Sequence, residues 1–335
     1  MPDGILNTEL LENNEISLDL SLRPPRFDDF IGQEDLKANL HVYIQAAKKR
    51  GDVLDHILFS GPPGLGKTTL AHIIAKEMDS EIKVTSGPVL ERAADLAGVL
   101  TNLNRGDVLF IDEIHRLSNS VEEYLYSAME DFTLDILIDQ GPSARSVRID
   151  LQPFTLIGAT TREGMLSAPL RARFGVLEKL SFYQTNQIKD VIKRSANILA
   201  LELENDSAEE MARRSRGTPR IANRFVRRLR DFAQIDGDGT LTLKIAQNGL
   251  KRLKVDSEGL SQMDLDIMNI IADYAGKPVG LKTIAVTIGE TQEAIEDVYE
   301  PYLIQKGYIH KTTRGRILTK KGFEYLNLPI PQNDK

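Results

Sequence analysis

Short apolar runs alternate with amphipathic stretches through the first half of the chain. Residues 57–60 form a short apolar run, and after a glycine-rich turn apolar residues recur at positions 70, 73, 74 and 78, which is helical spacing. Two further runs, within 108–111 and 154–159, have the continuous apolar character of strands buried on both faces of a parallel sheet. The pattern predicts an α/β fold built on a parallel sheet.

The last quarter of the chain has a different pattern of apolar residues, that of three helices followed by a β-hairpin. Residues 264–274 have the apolar spacing of one helix, 281–289 of a second and 291–307 of a longer third, and 308–319 read as a β-hairpin around Arg-Gly. Helix, helix, longer helix and hairpin is the order of a winged-helix domain, a relative of the helix-turn-helix. We expect this domain to begin near Asp256-Ser257.

The turn after the first strand carries the most specific motif of the chain. Its letters GPPGLGKT match G-x-x-x-x-G-K-[ST], with a strand before and a helix after. Glycines allow backbone N–H groups to surround phosphate oxygens, and the helix N-terminus adds positive potential. Lys67 would neutralise the β- and γ-phosphates, and the Thr68 hydroxyl would ligate Mg²⁺. The chain is therefore expected to bind a nucleoside triphosphate.

The second and third apolar runs end in polar residues suited to the same chemistry. The run VLFI is followed by Asp112 and Glu113, where open α/β sheets bind their ligands. Asp112 would hold Mg²⁺ through water, and Glu113 would polarise the attacking water; alone, the pair could be two solvated acids. The third run ends in Thr160 and Thr161, which could sense the γ-phosphate or merely cap a strand. His115 receives no catalytic role.

Composition narrows the class of protein. At 335 residues, 41% hydrophobic and 27% charged, the chain has the size of two or three soluble domains. It has no run of about 18 apolar residues and no signal-peptide pattern at its start, so we expect a cytoplasmic protein without a membrane segment. The absence of cysteine excludes disulfides and thiolate metal sites. The net charge of −7 argues against coating nucleic acid, so any polyanion contact needs a local basic patch.

The order of these motifs resembles that of the AAA+ ATPases. The stretches RPPRFDDFIGQEDLK, GPPGLGKTTL, LFIDEIHRL, IGATT, APLRARFG and GTPRIANR resemble most closely the RuvB family, the bacterial motors of Holliday-junction branch migration. The resemblance covers about residues 22–328. It implies an ATPase core with a parallel sheet, a small helical lid and a C-terminal winged-helix head. The expected boundaries are 1–183, 184–255 and 256–335.

The resemblance also assigns nucleotide contacts. Thr161 matches the position called sensor 1, with Thr160 as the neighbouring alternative, and Arg220 matches sensor 2. ATP would be bound by residues of the phosphate loop and by residues placed around the base and ribose: Leu22, Arg23, Gly64, Leu65, Gly66, Lys67, Thr68, Thr69, Tyr183 and Arg220. The metal would be Mg²⁺ on Thr68 and Asp112.

Two arginines lie close together in the stretch SAPLRARFGV. The family uses the last arginine, here Arg173, as a finger that reaches the nucleotide of a neighbouring subunit, and a guanidinium fork suits a phosphate face. A finger acting in trans implies an oligomer, and the family forms hexameric rings. Arg171 is the alternative finger, or else an interface or surface charge.

Residues 134–151 alternate apolar positions on both sides of QGPS and predict a β-hairpin. In the family the corresponding hairpin docks the partner protein RuvA, which makes Ile136 and Ile138 candidate contacts. The alternative is a hairpin packed on its own domain. The resolvase RuvC is a further partner that the resemblance raises.

Basic residues cluster in two later segments. Residues 211–230 carry eight arginines and no acid, which suits either a nucleic-acid stripe or, as we prefer, a lid helix around Arg220. The wing, 306–321, holds six Lys or Arg and no acid, whereas the third helix carries Glu293, Glu296, Asp297 and Glu300. Those acids argue against base readout, so we expect backbone contacts to DNA. The candidates are Gln292, Lys311, Arg314 and Arg316; a solvated basic turn is the alternative.

The resemblance implies an ATP-driven motor that moves duplex DNA through a ring, working at Holliday junctions in recombination and repair together with RuvA. A nucleotide-gated initiator or loader would be expected to have a base-reading helix. A protein unfoldase would be expected to show an aromatic pore loop, and the sequence has no convincing one.

Overall fold

The computed structural model describes residues 21–137 and 146–331. The described chain divides once into compact units, between residues 181 and 182, with Pro62–Gly64 grouped with the second unit. The second unit therefore includes both segments that were predicted as lid and head. Across the described ranges, no helix combines the length and apolar character needed to cross a membrane.

The first unit is built on a five-stranded parallel sheet in the order β2–β3–β6–β1–β7. Its strands are β1 (Ile57–Ser60), β2 (Ile82–Ser86), β3 (Val108–Asp112), β6 (Thr155–Thr160) and β7 (Val176–Lys179). The three runs predicted as buried strands, β1, β3 and β6, occupy the centre of the sheet, where both faces are covered. The predicted fold class is confirmed.

Strand register brings the ends of the three central strands to one edge. Ser60 pairs with Thr160, and Ile111 pairs with Gly158. A Cβ at Gly158 would lie 3.0 Å from the Ile114 side chain, so a larger residue there would require its neighbours to shift by a few tenths of an ångström. Because β6 lies between β1 and β3, the phosphate loop, the acidic pair and the two threonines all follow strands at the same edge.

Helices cover this sheet through apolar faces. The helices of the first unit are α1 (Glu34–Arg50), α2 (Lys67–Glu77), α3 (Ala93–Leu100), α4 (Asn119–Glu130) and α5 (Ala168–Ala172). In α1 the buried residues are Leu36, Leu40, Ile44 and Ala47, one face of a helix, and Gly51 ends it in the left-handed conformation (φ 72°). Ser118 and Ser167 cap α4 and α5 by accepting from the backbone N–H of Val121 and Leu170.

A separate antiparallel pair lies between α4 and β6. It consists of β4 (Thr133–Leu137) and β5 (Ser146–Asp150), with Ile136 opposite Val147. This confirms the strands of the predicted hairpin, whereas its turn, including Ile138, lies outside the described residues.

The second unit begins with four helices and continues into the winged-helix fold. The four helices are α6 (Thr185–Ile198), α7 (Asn205–Arg214), α8 (Pro219–Asp236) and α9 (Leu243–Arg252). Those that follow are α10 (Gln262–Ala272), α11 (Leu281–Ile288), α12 (Gln292–Ala294), α13 (Glu300–Gln305) and α14 (Lys320–Tyr325). The wing is β8 (Ile309–Thr312) paired with β9 (Gly315–Leu318).

The third helix of the head is not continuous. A π-helical segment, Ile295–Tyr299, separates α12 from α13, and Pro301 follows in the first turn of α13. Proline has no N–H to donate to the preceding turn, which is a common cause of such irregularity. The β9 strand also pairs with Val279, whose N–H and C=O both bond Arg316 at 2.8 Å, so α11 starts beside the wing.

Candidate nucleotide site and DNA-binding head

The phosphate loop connects β1 to α2 through glycines in conformations that favour glycine. Gly61 has φ 132° and Gly66 has φ 106°. A Cβ at Gly61 would lie 2.5 Å from the carbonyl oxygen of Leu180, so a side chain there would push the loop away from the strand. Leu65 points into the core and is fully buried. The loop is thus shaped by close backbone approach, as phosphate cradles require.

Lys67 begins α2 with its side chain folded back over the loop. The residue is only 8% exposed, and its Nζ donates to the Gly61 carbonyl at 2.6 Å. A nearly buried ammonium at a helix N-terminus is a strong site for a polyanion. Thr68 and Thr69 follow in the first helical turn and are half-buried. This arrangement fits a triphosphate.

The acidic pair sits where β3 ends. Asp112 is half-buried, and its Oδ1 accepts the backbone N–H of Glu113 at 2.9 Å. Glu113 has φ 48°, a left-handed conformation that is uncommon for a residue with a side chain. Its Oε2 pairs with Arg116 Nη1 at 2.9 Å, with both side chains about half exposed. Sequence reasoning missed this arginine, although its spacing three residues after Glu113 in a short helical turn was a readable signal.

The oxygen donors of this edge suit magnesium. Within the described ranges no group of three or more His, Cys, Asp or Glu could hold a metal ion by itself. Mg²⁺ usually takes one or two protein oxygens and completes its shell with substrate phosphates and water. One hydroxyl from Thr68 and one carboxylate from Asp112 fit that pattern.

The two threonines after β6 differ in environment. Thr160 is the last residue of the strand and fully buried, with its Oγ1 3.0 Å from His115 Nδ1 and 2.9 Å from the N–H of Arg162 that donates to it. Thr161 lies one residue beyond the strand and is half-buried. His115, left without a role by the sequence, thus joins the end of β6 to the segment after β3. Thr161 remains the predicted sensor.

The two arginines after Ala168-Pro169 are held differently. Arg173 Nη1 donates to the Pro169 carbonyl at 2.8 Å, and Nη2 pairs with Glu130 at 3.1 Å. Its guanidinium also lies over the Tyr126 ring at 4.4 Å, and its side chain is 21% exposed. Arg171 only pairs with Glu163, at 2.7 Å, and is half exposed. Arg173 therefore makes more side-chain contacts within the subunit than Arg171 does.

Side-chain hydrogen bonds among Glu122, Tyr126 and Ser167 hold the start of α5 in place. Ser167 Oγ donates to Glu122 Oε2 at 2.6 Å, and the Tyr126 hydroxyl donates to the same oxygen at 3.1 Å. Glu122 is almost fully buried. The ring that carries the Arg173 guanidinium is therefore itself anchored.

Residues predicted around the base and ribose fall in both units. In the first unit Leu22 is buried and Arg23 is exposed. The pKa of His72 on α2 is lowered by burial and, to a smaller extent, by the charge of Arg23. In the second unit Tyr183 is buried, and its N–H donates to the Gly217 carbonyl at 2.9 Å.

Arg220 lies in the first turn of α8 and is exposed, as a residue meeting a ligand should be. Its backbone N–H donates to the carbonyl of Gly64, which groups with the second unit, at 3.3 Å. One turn later Arg224 is also exposed. Although the residue as a whole is exposed, partial burial of the guanidinium lowers the pKa of Arg224, and the neighbouring charges of Arg216, Arg220 and Arg227 lower it further.

The wing presents fewer free cations than its composition suggests. Lys311 is exposed and pairs with Glu296 at 2.8 Å, Arg314 is exposed at the tip, and Gln292 is exposed at the start of α12. Arg316 is buried instead: its Nη2 pairs with Glu296 at 2.8 Å and with Glu300 at 3.0 Å, and its Nε also donates to Glu300. The expectation that Arg316 faces a phosphate is therefore corrected. Alternation along β9 turns this residue inward.

The same pairs correct the reading of the third helix as an outward acidic face. Glu300 is only 3% exposed, and Glu296 pairs with two wing cations. Two of the four acids thus neutralise the wing rather than facing solvent.

At the base of the β4–β5 hairpin, Leu134 is fully buried while Val147 is exposed. Arg148 pairs with Asp135 at 2.8 Å across the two strands, and this hydrogen-bonded arginine lowers the pKa of the Asp135 carboxyl. By strand register, Leu134 and Val147 lie on the same face of the hairpin, which is buried at Leu134 and exposed at Val147, whereas Asp135 and Arg148 lie on the opposite face.

Comparison with known proteins accounts for nearly the whole described chain. Three family models match in succession: the Holliday junction DNA helicase RuvB P-loop domain at residues 22–180, the RuvB AAA lid domain at 183–256 and the RuvB C-terminal winged helix domain at 257–327. Similar curated proteins include Holliday junction branch migration complex subunit RuvB of Salinibacter ruber and of Myxococcus xanthus. Each is 56% identical, over 94% and 95% of this chain and 92% and 94% of theirs.

Solved structures of RuvB proteins are also similar to this chain. The Thermotoga maritima RuvB Holliday junction branch migration motor matches with a TM-score of 0.86 and 50% identity, over 93% of this chain and all of that chain. Several single-residue variants of that protein match equally well. With the phosphate loop, the acidic strand end and the winged helix all in place, this chain belongs to the RuvB family.

Proposed function

We propose that this chain is the ATP-hydrolysing motor subunit of a Holliday junction branch migration complex. The observation that carries the proposal is the succession of RuvB-type P-loop, lid and winged-helix segments at residues 22–180, 183–256 and 257–327. The relatives that match over more than nine-tenths of their length carry that function in their names. A phosphate loop with a nearly buried lysine supports an active nucleotide site.

Each group at the sheet edge has a role in that chemistry. Lys67 and the loop N–H groups hold the phosphates, and Lys67 offsets charge that builds up as the γ-phosphoryl group is transferred. Glu113, one residue after β3, orients and polarises the attacking water. Its carboxylate is paired with Arg116 and would exchange this ion pair for the water when nucleotide binds. Thr161 senses the γ-phosphate, with Thr160 the alternative. Leu22, Arg23 and Tyr183 surround the base and ribose, and Arg220 contacts the phosphates.

Mg²⁺ would be held by Thr68 directly and by Asp112 through water. When bound, the ion would neutralise charge on the β- and γ-phosphate oxygens. The contribution of the chain is to keep both oxygen donors at the same sheet edge as the phosphate loop.

Arg173 serves as a finger in trans, and the active assembly is a homo-hexamer. Contact with the Tyr126 ring and pairing with the half-exposed Glu130 hold the guanidinium in one orientation. Because this ion pair is partly exposed, replacing the carboxylate by a phosphate would cost little. A ring of subunits supplies each nucleotide with the arginine of its neighbour.

The wing contacts the DNA backbone through Lys311 and Arg314, with Gln292 as a helix-start contact. The protein works in the cytoplasm with RuvA, which docks on the β4–β5 hairpin through apolar contacts including Ile136 and Ile138, and alongside RuvC. The exposed Val147 opposite Ile136 supports an apolar docking face.

Strand-exchange assays on synthetic four-way junctions, with and without ATP and RuvA, test the proposal. We expect ATP-dependent conversion of the junction into its heteroduplex products, strengthened by RuvA. ATP-stimulated binding to duplex DNA without any movement of the junction would instead support a loader.

A further inference from the structure

The turn before Arg220 carries an arginine that points away from α8 and into the winged-helix head. Arg216 and Gly217 both have left-handed backbone, with φ 57° and 62°. This conformation is unfavourable for a residue with a side chain and persists only where the surroundings hold it. At Gly217 a Cβ would lie 2.7 Å from the Tyr183 carbonyl oxygen, so the turn is closely packed on that side.

The Arg216 side chain is held on several sides by the head. Its Nε donates to the Gly259 carbonyl at 2.7 Å, and its two terminal nitrogens pair with both oxygens of Asp264, Nη1 at 3.2 Å from Oδ1. The guanidinium also lies 5.0 Å from the centre of the Tyr302 ring. A two-pronged ion pair combined with ring stacking admits one relative orientation, because the guanidinium fork is planar and rigid.

Asp264 is buried where it pairs with Arg216. It is fully buried at the start of α10 and also accepts the backbone N–H of Ser261 at 2.7 Å, which caps that helix. A fully buried carboxylate needs a counter-charge, and Arg216 supplies it from the other side of the boundary between lid and head.

Neighbouring contacts reinforce the same boundary. Gly259 has φ 80°, and a Cβ there would lie 2.4 Å from the carbonyl oxygen of Arg214, the last residue of α7. Arg214 Nη1 in turn donates to the Val255 carbonyl at 3.2 Å. The Tyr302 hydroxyl donates to the Glu258 carbonyl at 2.6 Å, which joins α13 to the same segment.

We propose that the Arg216–Asp264 pair, with Tyr302 and the Gly259 carbonyl, is a rigid joint that makes lid and head rotate as one body. Arg216 is a positioning residue: it lies four residues before Arg220, with Pro219 starting α8 between them. A change in the orientation of α8 when Arg220 gains or loses a phosphate is thereby passed to the wing rather than absorbed in the segment 255–261. This inference rests on the proposed motor function for its consequence, but not for the rigidity itself.

Four variants separate the joint from general stability. Arg216→Gln and Asp264→Asn each remove one charge, and the double variant removes both, so it leaves no buried charge unpaired. The matched control is Arg213→Gln, because Arg213 is 56% exposed and pairs with Glu210 of its own helix. Thermal melting followed by circular dichroism identifies any variant that fails to fold; if a single variant does, the double variant decides.

The distance between lid and head measures the joint directly. The chain has no cysteine, so spin labels can be placed on Ile235→Cys in α8 and Val286→Cys in α11, positions that are 83% and 75% exposed. Labelled full-length protein is diluted with unlabelled protein so that distances within one chain dominate. We expect one narrow distance distribution, identical with ADP and with a non-hydrolysable ATP analogue, in the parent and in Arg213→Gln. The double variant should give a broad or nucleotide-dependent distribution.

The motor readout tests the consequence. In the double variant, junction movement per ATP hydrolysed should fall by about tenfold while ATP hydrolysis per subunit stays within about twofold of the parent. A narrow, unchanged distribution in the folded double variant would overturn the joint, as would a nucleotide-dependent distribution in the parent. Equal loss of hydrolysis and movement would assign the pair to folding alone. If the parent moves no junction, the proposed function fails and the distance measurement still tests the joint.

Discussion

Arginines in the ATPase unit and in the winged-helix head occupy opposite kinds of environment. Arg173 is 21% exposed and shares one half-exposed carboxylate, Glu130, with solvent. Arg316 is 7% exposed and faces Glu300, which is itself buried. The first can exchange its partner for a phosphate at modest cost, whereas withdrawing the second would leave a buried carboxylate without its counter-charge. The sequence predicts that both arginines contact phosphates. In the structure Arg173 can exchange its carboxylate partner for a ligand, whereas Arg316 stabilises the fold of the head.

The carboxylates follow the same division. Asp112 and Glu113 lie half-exposed at the end of a strand, where a ligand can reach them. In the second unit Asp264 and Glu300 are buried and hold arginines within the chain. Among the carboxylates, those assigned to the nucleotide site keep access to solvent, whereas the buried ones hold elements of the second unit together.

The largest expected effect comes from mixing two inactive proteins. Arg173→Ala should slow hydrolysis by on the order of a thousandfold or more without impairing ATP binding by its own subunit, while Lys67→Ala cannot use ATP but still presents its arginine. If subunits assort at random, about a quarter of interfaces join an intact loop to an intact finger. Steady-state ATPase activity should therefore reappear in the mixture.

Dilution below the assembly concentration should abolish that recovery. Arg171→Ala is the matched control, since Arg171 pairs only with Glu163 and should not start from an inactive state. A silent mixture, in rings shown to contain both variants, would count against action in trans.

Glu113→Gln should be the next most damaging change. The amide cannot polarise water, so hydrolysis should fall by about a hundredfold to ten-thousandfold, whereas ATP binding should persist because Lys67 and Asp112 are intact. ATP affinity and steady-state hydrolysis measured on the same preparation give the answer. Near-normal turnover would remove Glu113 from the mechanism, and Arg116→Gln tests whether its ion-pair partner matters for positioning.

Arg316→Gln should affect stability rather than the DNA contact. Removing one partner of a buried pair costs about 3–5 kcal/mol, and the double variant with Glu300→Gln should recover much of the loss because it leaves no unpaired charge. Denaturant unfolding of both variants measures this. If Arg316→Gln is as stable as the parent but binds DNA more weakly at every salt concentration, Arg316 contacts phosphate after all.

The smallest expected effect is at the exposed wing. Replacing Arg314 by Gln should leave the melting temperature unchanged, weaken DNA binding alike for every sequence, and reduce the slope of log affinity against log salt by about one unit. Lys311→Gln should also weaken DNA binding, but by less, because Lys311 is already paired with Glu296. Lys320→Gln, at an exposed position paired with Glu324 in α14, is the control. A loss that depends on DNA sequence would indicate base readout.

Local sequence was sufficient for much of the fold. The three buried strands, the loop that follows β1 and the winged-helix order are confirmed because each depends on residues that are neighbours in the chain. The predicted wing hairpin is also present, as β8 and β9. The partners of individual charges were less predictable: Arg316 reaches Glu300 across sixteen positions, and Arg216 reaches Asp264 across forty-eight.

By itself the sequence determined that this chain folds as a phosphate-binding α/β domain followed by helices and a winged helix, because periodicity and loop chemistry are local properties. The sequence also predicted which residues could bind and hydrolyse ATP. Only the tertiary structure decided which of those charges remain available. Long-range packing buries Arg316 against Glu300 and Arg216 against Asp264 while leaving Arg314 exposed. Burial and charge pairing depend on segments far apart in the chain, and no single stretch of sequence contains both partners.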